Sequence, residues 1–377
     1  MQDEKELKVI MGANIRRRRL ILGWDQSEVA ERLGMSRPAY VNLEKGCAKI
    51  GDDLFALLQT VFSLSAEMLF APAPRCVYRF FRKNARETQR ERALIEEATR
   101  FSVGRISDYS FLERTTGKRP MYDGDLLKLK LLSGESIDDF ALRVRRFLFD
   151  HGLDDLENLA NMLEVFGIKV VCMPIPMAKC FGFSFSVDGQ SGIFINTDTC
   201  ISGERQLFTL AHELGHILLH RDREDFEKLA EKMTKAMEDE VNRFASQLLM
   251  PQKLFREAWD DTAALPWVER VLSVKRRFRV SYRMVLYRLS EGRGASGMST
   301  VFAAFGNGYL KRWGHNLAGN IEPQPYPFVC FAPRRYSRLA IDAYKQKSIG
   351  VSKLAELLGK SVVETMDILN AEFGKVA

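Results

Sequence analysis

No apolar run in the 377 residues is long enough to span a bilayer, and the opening MQDEKELKVI puts acidic residues where a secretion signal has a basic flank. The expectation is a cytoplasmic protein without a membrane partner. Cysteine is sparse: Cys47, Cys76, Cys172, Cys180, Cys200 and Cys330 are scattered, and none falls in a C-x-x-C pair. That argues against a disulfide framework and a cysteine-built zinc site, and the thiols read as reduced and mostly packed. Low-complexity tracts are missing as well, and 46% hydrophobic with 28% charged residues is the composition of a folded globular chain. A chain of this length is expected to hold two or three domains.

Net charge is +7 with pI near 9.0, which is weak evidence for a polyanionic partner unless the charge is concentrated. It is concentrated near the start, where Arg16, Arg17, Arg18 and Arg19 are consecutive and Arg75, Arg79, Arg82, Arg86 and Arg90 follow. A solvated helix face would carry the same pattern.

Residues 8–70 read as short helices with stops at Gly23, Gly34 and Gly46 and N-caps at Asp25 and Ser36. A helix, a tight glycine turn and a second helix is the geometry that lays one helix in the DNA major groove. The stretch GANIRRRRLILGWDQSEVAERLGMSRPAYVNLEKG resembles the lambda-repressor and Cro type of helix-turn-helix, the XRE family, over about the first seventy residues. The resemblance implies that Gln26 opens the first helix of the motif beside a phosphate and that Ser36 to Leu43 is the recognition helix. Arg37, Pro38 and Asn42 would then face base edges, with Tyr40 near the DNA backbone. Arginine forks onto guanine and asparagine onto adenine, whereas Pro38 departs from the pattern because it cannot hydrogen-bond a base. The resemblance also pairs Arg19 with Glu44 inside the domain, leaving Arg16, Arg17 and Arg18 as the exposed cations.

From Pro72 to about Asp150 the chain turns polar and arginine-rich, with helical periodicity in RETQRERALIEEATRF and SIDDFALRVRRFLFDHG around the breaker-rich TTGKRPMYDGD. LENLANMLEVFG then reads as an amphipathic helix, and IKVVCMPIP, FGFSFSV and SGIFINT as strands of a small sheet.

Of only five histidines, three fall at 212, 216 and 220 within the helical run LFTLAHELGHILLH. The H-E-x-x-H pattern puts His212 and His216 on one helix face, where they can hold one Zn²⁺, with Glu213 as the general base for a bound water. His220, a turn further on, reads as a helix-end residue rather than a ligand. A third ligand is expected from MEDEVNRFASQLLMP. With Val241, Ala245, Leu248 and Leu249 as its buried face, Glu238 lies within that arc while Glu240 lies opposite, so Glu238 is preferred and Glu240 and Asp239 read as solvated. Asn242, one turn on, is the candidate to support a ligand from behind.

RQLFTLAHELGHILLH followed by EDEVNRFASQLLMP resembles the ImmA/IrrE metallopeptidases over roughly residues 140–292, including IFINTD and FRVSYRMVLYRL. The family implies a thermolysin-like zinc peptidase that cuts a DNA-bound or phage-type repressor and so releases transcription. Tyr282, Arg283 and His315 are the candidates to stabilise an oxyanion.

Beyond this, Gly and Ser cluster in SEGRGASGMS, a polar loop IEPQPYP follows, and helices are expected near 334–346, 352–358 and 362–373. SKLAELLGKS resembles half a helix-turn-helix, or else a packed helical appendage. The expected fold class is mostly α with a small β-sheet (α+β): a five-helix DNA-binding domain (1–72), a helical connector (73–139), a zincin-like peptidase domain (140–292) and a C-terminal helical region (293–377), either a packed appendage or a sensor or partner-binding element. The expected function is a DNA-binding regulator with one Zn²⁺ per chain and zinc endopeptidase activity, controlling stress, phage or mobile-element genes. Its expected partners are a double-stranded DNA operator, a repressor substrate and a second copy of the chain in a homodimer. Two alternatives stay open: a transcription factor whose peptidase-like domain senses a small ligand such as an acyl-CoA without proteolysis, and a scaffold without catalysis.

Overall fold

The computed structural model describes residues 2–73, 78–80, 88–153, 155–177, 179–221, 235–291, 294–317, 322–326 and 333–373. Two compact units emerge, Met1–Arg75 with Lys83–Gly104, and Cys76–Arg82 with Arg105–Ala377. Arg75, Arg82, Arg86, Cys76 and Cys330 lie outside the described residues, as does the side chain of Arg79.

The first unit contains the five expected helices, α1 (Gln2–Leu22), α2 (Gln26–Arg32), α3 (Arg37–Glu44), α4 (Asp52–Phe62) and α5 (Ala66–Phe70). Asp25 caps α2 by accepting from the Ser27 and Glu28 amides, and Ser36 caps α3 by accepting from Ala39. These bonds satisfy amides that have no partner within the helix. Pro38 sits in the first turn of α3, where no intrahelical donor is needed. Ile15, Val29, Tyr40, Leu43, Leu58, Phe62 and Leu69 form the core. Across it, Arg19 Nε meets Glu44 Oε1 at 2.6 Å, with both side chains under 10% exposed.

The second unit is built on a four-stranded sheet of order β1-β3-β4-β2, comprising β1 (Tyr78–Phe80), β2 (Lys169–Met173), β3 (Gly182–Val187) and β4 (Gln190–Asn196). β3 and β4 form a hairpin through Asp188 and Gly189, both with positive φ, the Asp-Gly signature of the turn that matches strand twist. β2 lies parallel to β4, and β1 pairs antiparallel with β3. Helices α6 (Gln89–Thr116), α7 (Ile137–Asp150), α8 (Leu159–Val165), α9 (Gly203–His220), α10 (Lys235–Leu249), α11 (Gln252–Asp261), α12 (Trp267–Phe278) and α13 (Tyr282–Ser290) follow in chain order around it. Residues 89–104 of α6 belong to the first unit and its remainder to the second. One continuous core joins α7 to α13 with β2 and β4.

The Gly/Ser cluster SEGRGASGMS runs into a helix that the sequence reading did not place individually, α14 (Gly294–Trp313), within the region expected to be helical. Phe305 and Tyr309 are buried in the main core, with Phe302 and Trp313 packed against it, and this apolar stripe outweighs the low helix propensity of four glycines. Gly308 is needed for close approach, because a Cβ there would stand 2.6 Å from Val268 Cγ2. The last helices, α15 (Arg335–Lys345), α16 (Val351–Leu358) and α17 (Val362–Phe373), share a separate core with Tyr109 and Leu112 of α6. SKLAELLGKS is thus packed through Leu354 and Leu357. No described helix is long and apolar enough to cross a membrane.

The thiols are less packed than expected. Cys180 is buried and Cys172 half-buried, but Cys47 and Cys200 are exposed, each lying in a loop outside the cores.

Candidate metal centre and nucleic-acid face

Ser202 caps α9 by accepting from the Arg205 amide, which starts the helix that carries the H-E-x-x-H run. Four residues apart, His212 and His216 project from one face, and their Nε2 atoms stand 3.2 Å apart. α10 crosses this face closely because residue 215 is glycine. A Cβ there would lie 3.0 Å from the Phe244 ring and 3.3 Å from Val241. Val241, Phe244, Ala245, Leu248 and Leu249 are fully buried along α10, and that placement carries Glu238 to the histidines. Its carboxylate oxygens lie 3.8 Å from His212 Nε2 and 4.0 Å from His216 Nε2. The ligand atoms of His212, His216 and Glu238 all fall within 4.8 Å of one another.

Burial holds the His212 imidazole down at about 4 and His216 well below the usual histidine range, so both rings are neutral lone-pair donors at neutral pH. Asn242 Oδ1 is 3.1 Å from His212 Nδ1. An amide oxygen only accepts, so Nδ1 carries the hydrogen and Nε2 keeps its lone pair toward His216. Burial pushes the Glu213 carboxyl up to about 8; Ser184 on β3 draws it back and the Glu238 charge adds to the rise. Glu213 Oε2 has no hydrogen-bond partner.

His220 ends α9 as the sequence reading has it, and it is wholly buried, with Nδ1 3.1 Å from His216 Nδ1. Glu240 is not simply solvated, because its Oε2 meets His220 Nε2 at 3.1 Å. Asp239 is exposed. The one sequence signal for this contact is histidine recurring every fourth residue, 212, 216 and 220. For Ser184 beside Glu213 there is no such signal, since it is a sheet-to-helix contact.

A cleft of about 850 Å³ lies beside the centre, lined among others by Arg205, Phe208, Asn242, Arg283, Tyr287 and Arg288. Of the oxyanion candidates, Arg283 lines this cleft, while its Nε donates to Tyr282 Oη and Tyr282 itself is buried. His315 is exposed and packs against Tyr309 instead.

In the first unit, Ser36, Arg37, Pro38 and Asn42 are exposed on α3, as is Arg16 on α1. Gln26 links them inward: it donates to Glu44 Oε2 at 3.0 Å and accepts from Arg37 at 3.4 Å. Two of the expected contacts are corrected. Tyr40 is 0% exposed and packs in the core beside Arg19 and Glu44, so it cannot reach a DNA backbone. Arg17, 6% exposed, is engaged by Glu96 at 3.3 Å and Glu97 at 3.1 Å. Helix periodicity turns it inward between its exposed neighbour Arg16 and half-buried Arg18, whose Nε donates to the Phe62 carbonyl.

Residues 163–290 match a peptidase-family model described as an IrrE N-terminal-like domain, and residues 15–68 match a helix-turn-helix model. No curated protein matches the chain. The two matches define a fusion of an XRE-type helix-turn-helix with an ImmA/IrrE-type peptidase-family domain.

Proposed function

We propose that this DNA-binding regulator carries a zinc-dependent endopeptidase that cuts a repressor protein and so releases transcription from the operator its own helix-turn-helix occupies. The observation that supports the reading most is the donor set itself. Two neutral imidazoles and a carboxylate converge with their lone pairs facing one another, an arrangement that repels itself unless a cation lies between. In a tetrahedral zinc site neighbouring ligand atoms stand roughly 3.3 Å apart, and the 3.2 Å between the histidine nitrogens suits that spacing. The two gaps to Glu238 are somewhat wider.

His212, His216 and Glu238 would hold the zinc, which supplies Lewis acidity at a position left open by only three protein ligands. Glu213 stands next in the chain to a ligand, with one carboxylate oxygen uncommitted. In its ionised form the Glu213 carboxylate, made more basic by burial, can take a proton from an attacking water and return it to the departing amine. Asn242 holds the His212 ring in the ligating tautomer. On the DNA side, Arg37 and Asn42 would read base edges, with Gln26, Ser36 and Pro38 on the same face and Arg16 and Arg18 near phosphates. Dimerisation is part of the same reading, because a paired recognition helix doubles the base contacts.

The test is Glu213→Gln in the full chain, measured with metal content, operator binding and cleavage of a co-expressed repressor encoded next to it. Zinc and operator binding are expected to persist while cleavage stops. Regulation at the wild-type level by this variant would overturn proteolysis and leave ligand sensing as the function.

A further inference from the structure

The zinc reading leaves His220 and Glu240 without a task, although His220 is the least exposed of the three α9 histidines. A charged imidazole at a helix end interacts favourably with the helix dipole when it faces water, and His220 does not face water. Both its ring nitrogens are instead engaged within hydrogen-bonding distance, Nδ1 with His216 and Nε2 with Glu240.

The order of donors along this line follows from one end. An ionised carboxylate only accepts, so the hydrogen between His220 and Glu240 sits on His220 Nε2. With His220 neutral, its single N–H is spent on Glu240, which leaves Nδ1 as a lone pair. His216 Nδ1, 3.1 Å away, must then donate to it, and the His216 hydrogen is spent on the side away from His212. What remains is a lone pair on His216 Nε2, directed at His212 Nε2. Were the His220 hydrogen on Nδ1 instead, it would meet the His216 hydrogen head on, and the His216 ring would have to change tautomer or turn. Asn242 performs the same office for His212 with a single side chain.

We propose that His220 and Glu240 are positioning residues, a two-step relay from α10 back to α9 that locks His216 in the tautomer and ring orientation whose Nε2 binds metal. The proposal rests on the zinc reading of His212, His216 and Glu238. It concerns how tightly the site binds rather than which atoms bind.

The experiment uses the full chain freed of metal, titrated with Zn²⁺ against a chromophoric chelator and with Co²⁺ by visible absorption. Outer partners of metal-bound histidines typically alter affinity 10–100-fold, and a weakening of about that size is expected in Glu240→Ala and His220→Leu, with an altered Co²⁺ spectrum. Glu240→Gln keeps an oxygen that accepts from His220 Nε2, and His220→Asn keeps one that accepts from His216 Nδ1. Both are expected to stay within a few-fold of wild type. Zn²⁺ affinity and a Co²⁺ spectrum like wild type in Glu240→Ala and His220→Leu would overturn the relay, as would equal losses in Glu240→Ala and Glu240→Gln. Should His220→Leu fail to fold, Glu240→Ala decides alone, since that side chain is 38% exposed and its removal leaves no closed cavity. Wild-type chain that binds neither ion would overturn the zinc reading itself, a result distinct from any of these.

Discussion

Arg19 and Glu44 show how one pair of residues ties the DNA-binding unit together. Burial alone would raise the Glu44 carboxyl, but hydrogen bonds from Arg19 and Gln26 outweigh it and hold it below the ordinary range. A depressed carboxyl contributes stability that is present above its unfolded pKa, about 4.3, and is lost as pH falls through the folded value. Acid unfolding of residues 1–104 below that pH is therefore expected to shift in Glu44→Gln, which loses the pH-dependent part. Arg19→Ala leaves a buried carboxylate unpaired and is expected to cost about 3–5 kcal/mol, read from urea unfolding. A loss under 1 kcal/mol would show the pair to be idle. Binding separates from stability one turn away: Arg37→Ala and Asn42→Ala are each expected to reduce operator discrimination by about 1–3 kcal/mol with no change in melting. Tyr40→Phe, acting on a core residue, is expected to leave operator affinity unchanged. An operator titration in which Tyr40→Phe is impaired and Arg37→Ala is not would reverse this assignment.

Among elements, α14 is the case in which local propensity and packing disagree. Its glycines favour a loop, while Phe305 and Tyr309 reach the same core as Val268 and Val271 of α12. The tertiary contacts prevail because burying aromatic side chains is worth more than the roughly 1 kcal/mol that each helical glycine costs. Phe305→Ala is expected to destabilise the second unit by about 3–5 kcal/mol. Gly308→Val is expected to destabilise it too, since the added side chain has to displace Val268 or the helix. A Gly308→Val chain with unchanged thermal stability would show that α14 does not pack this closely. Between α9 and α10 the glycine at 215 has the same effect, and there it sets the distance from Glu238 to both histidines.

At the scale of the whole chain, the proposed metal centre and the proposed operator face belong to different units. The donor set lies entirely within the second unit and the exposed α3 face within the first. A ligand that binds only the folded form stabilises it by about 2.7 kcal/mol at 100 times its Kd. Chelation of zinc is therefore expected to lower the calorimetric transition of the second unit by several degrees and to leave that of the first in place, while operator DNA does the reverse. Equal movement of both transitions with either ligand would mean that the units unfold as one.

Periodicity and spacing in the chain already determined most of what lies on a single element. The five helices of the first unit, the strands β2, β3 and β4, His212 and His216 on one face, and Glu238 within the buried arc of α10 are all local patterns, and α-helical geometry turns spacing directly into direction, whereas β1 lay in a stretch read as helical. Contacts between elements needed the tertiary structure. Arg17 reads from its own helix as one more exposed arginine, but Glu96 and Glu97 lie against it, and Tyr40 belongs to the core. Glu240 lay opposite the buried face of its own helix, yet it reaches His220 on another. A helical wheel describes each helix against a uniform solvent, whereas a buried ring or carboxyl answers to whichever neighbour the packing brings near. For that reason the candidate ligands and Asn242 behind His212 were legible in the sequence, while the contacts from His216 through His220 to Glu240 were decided only by the fold.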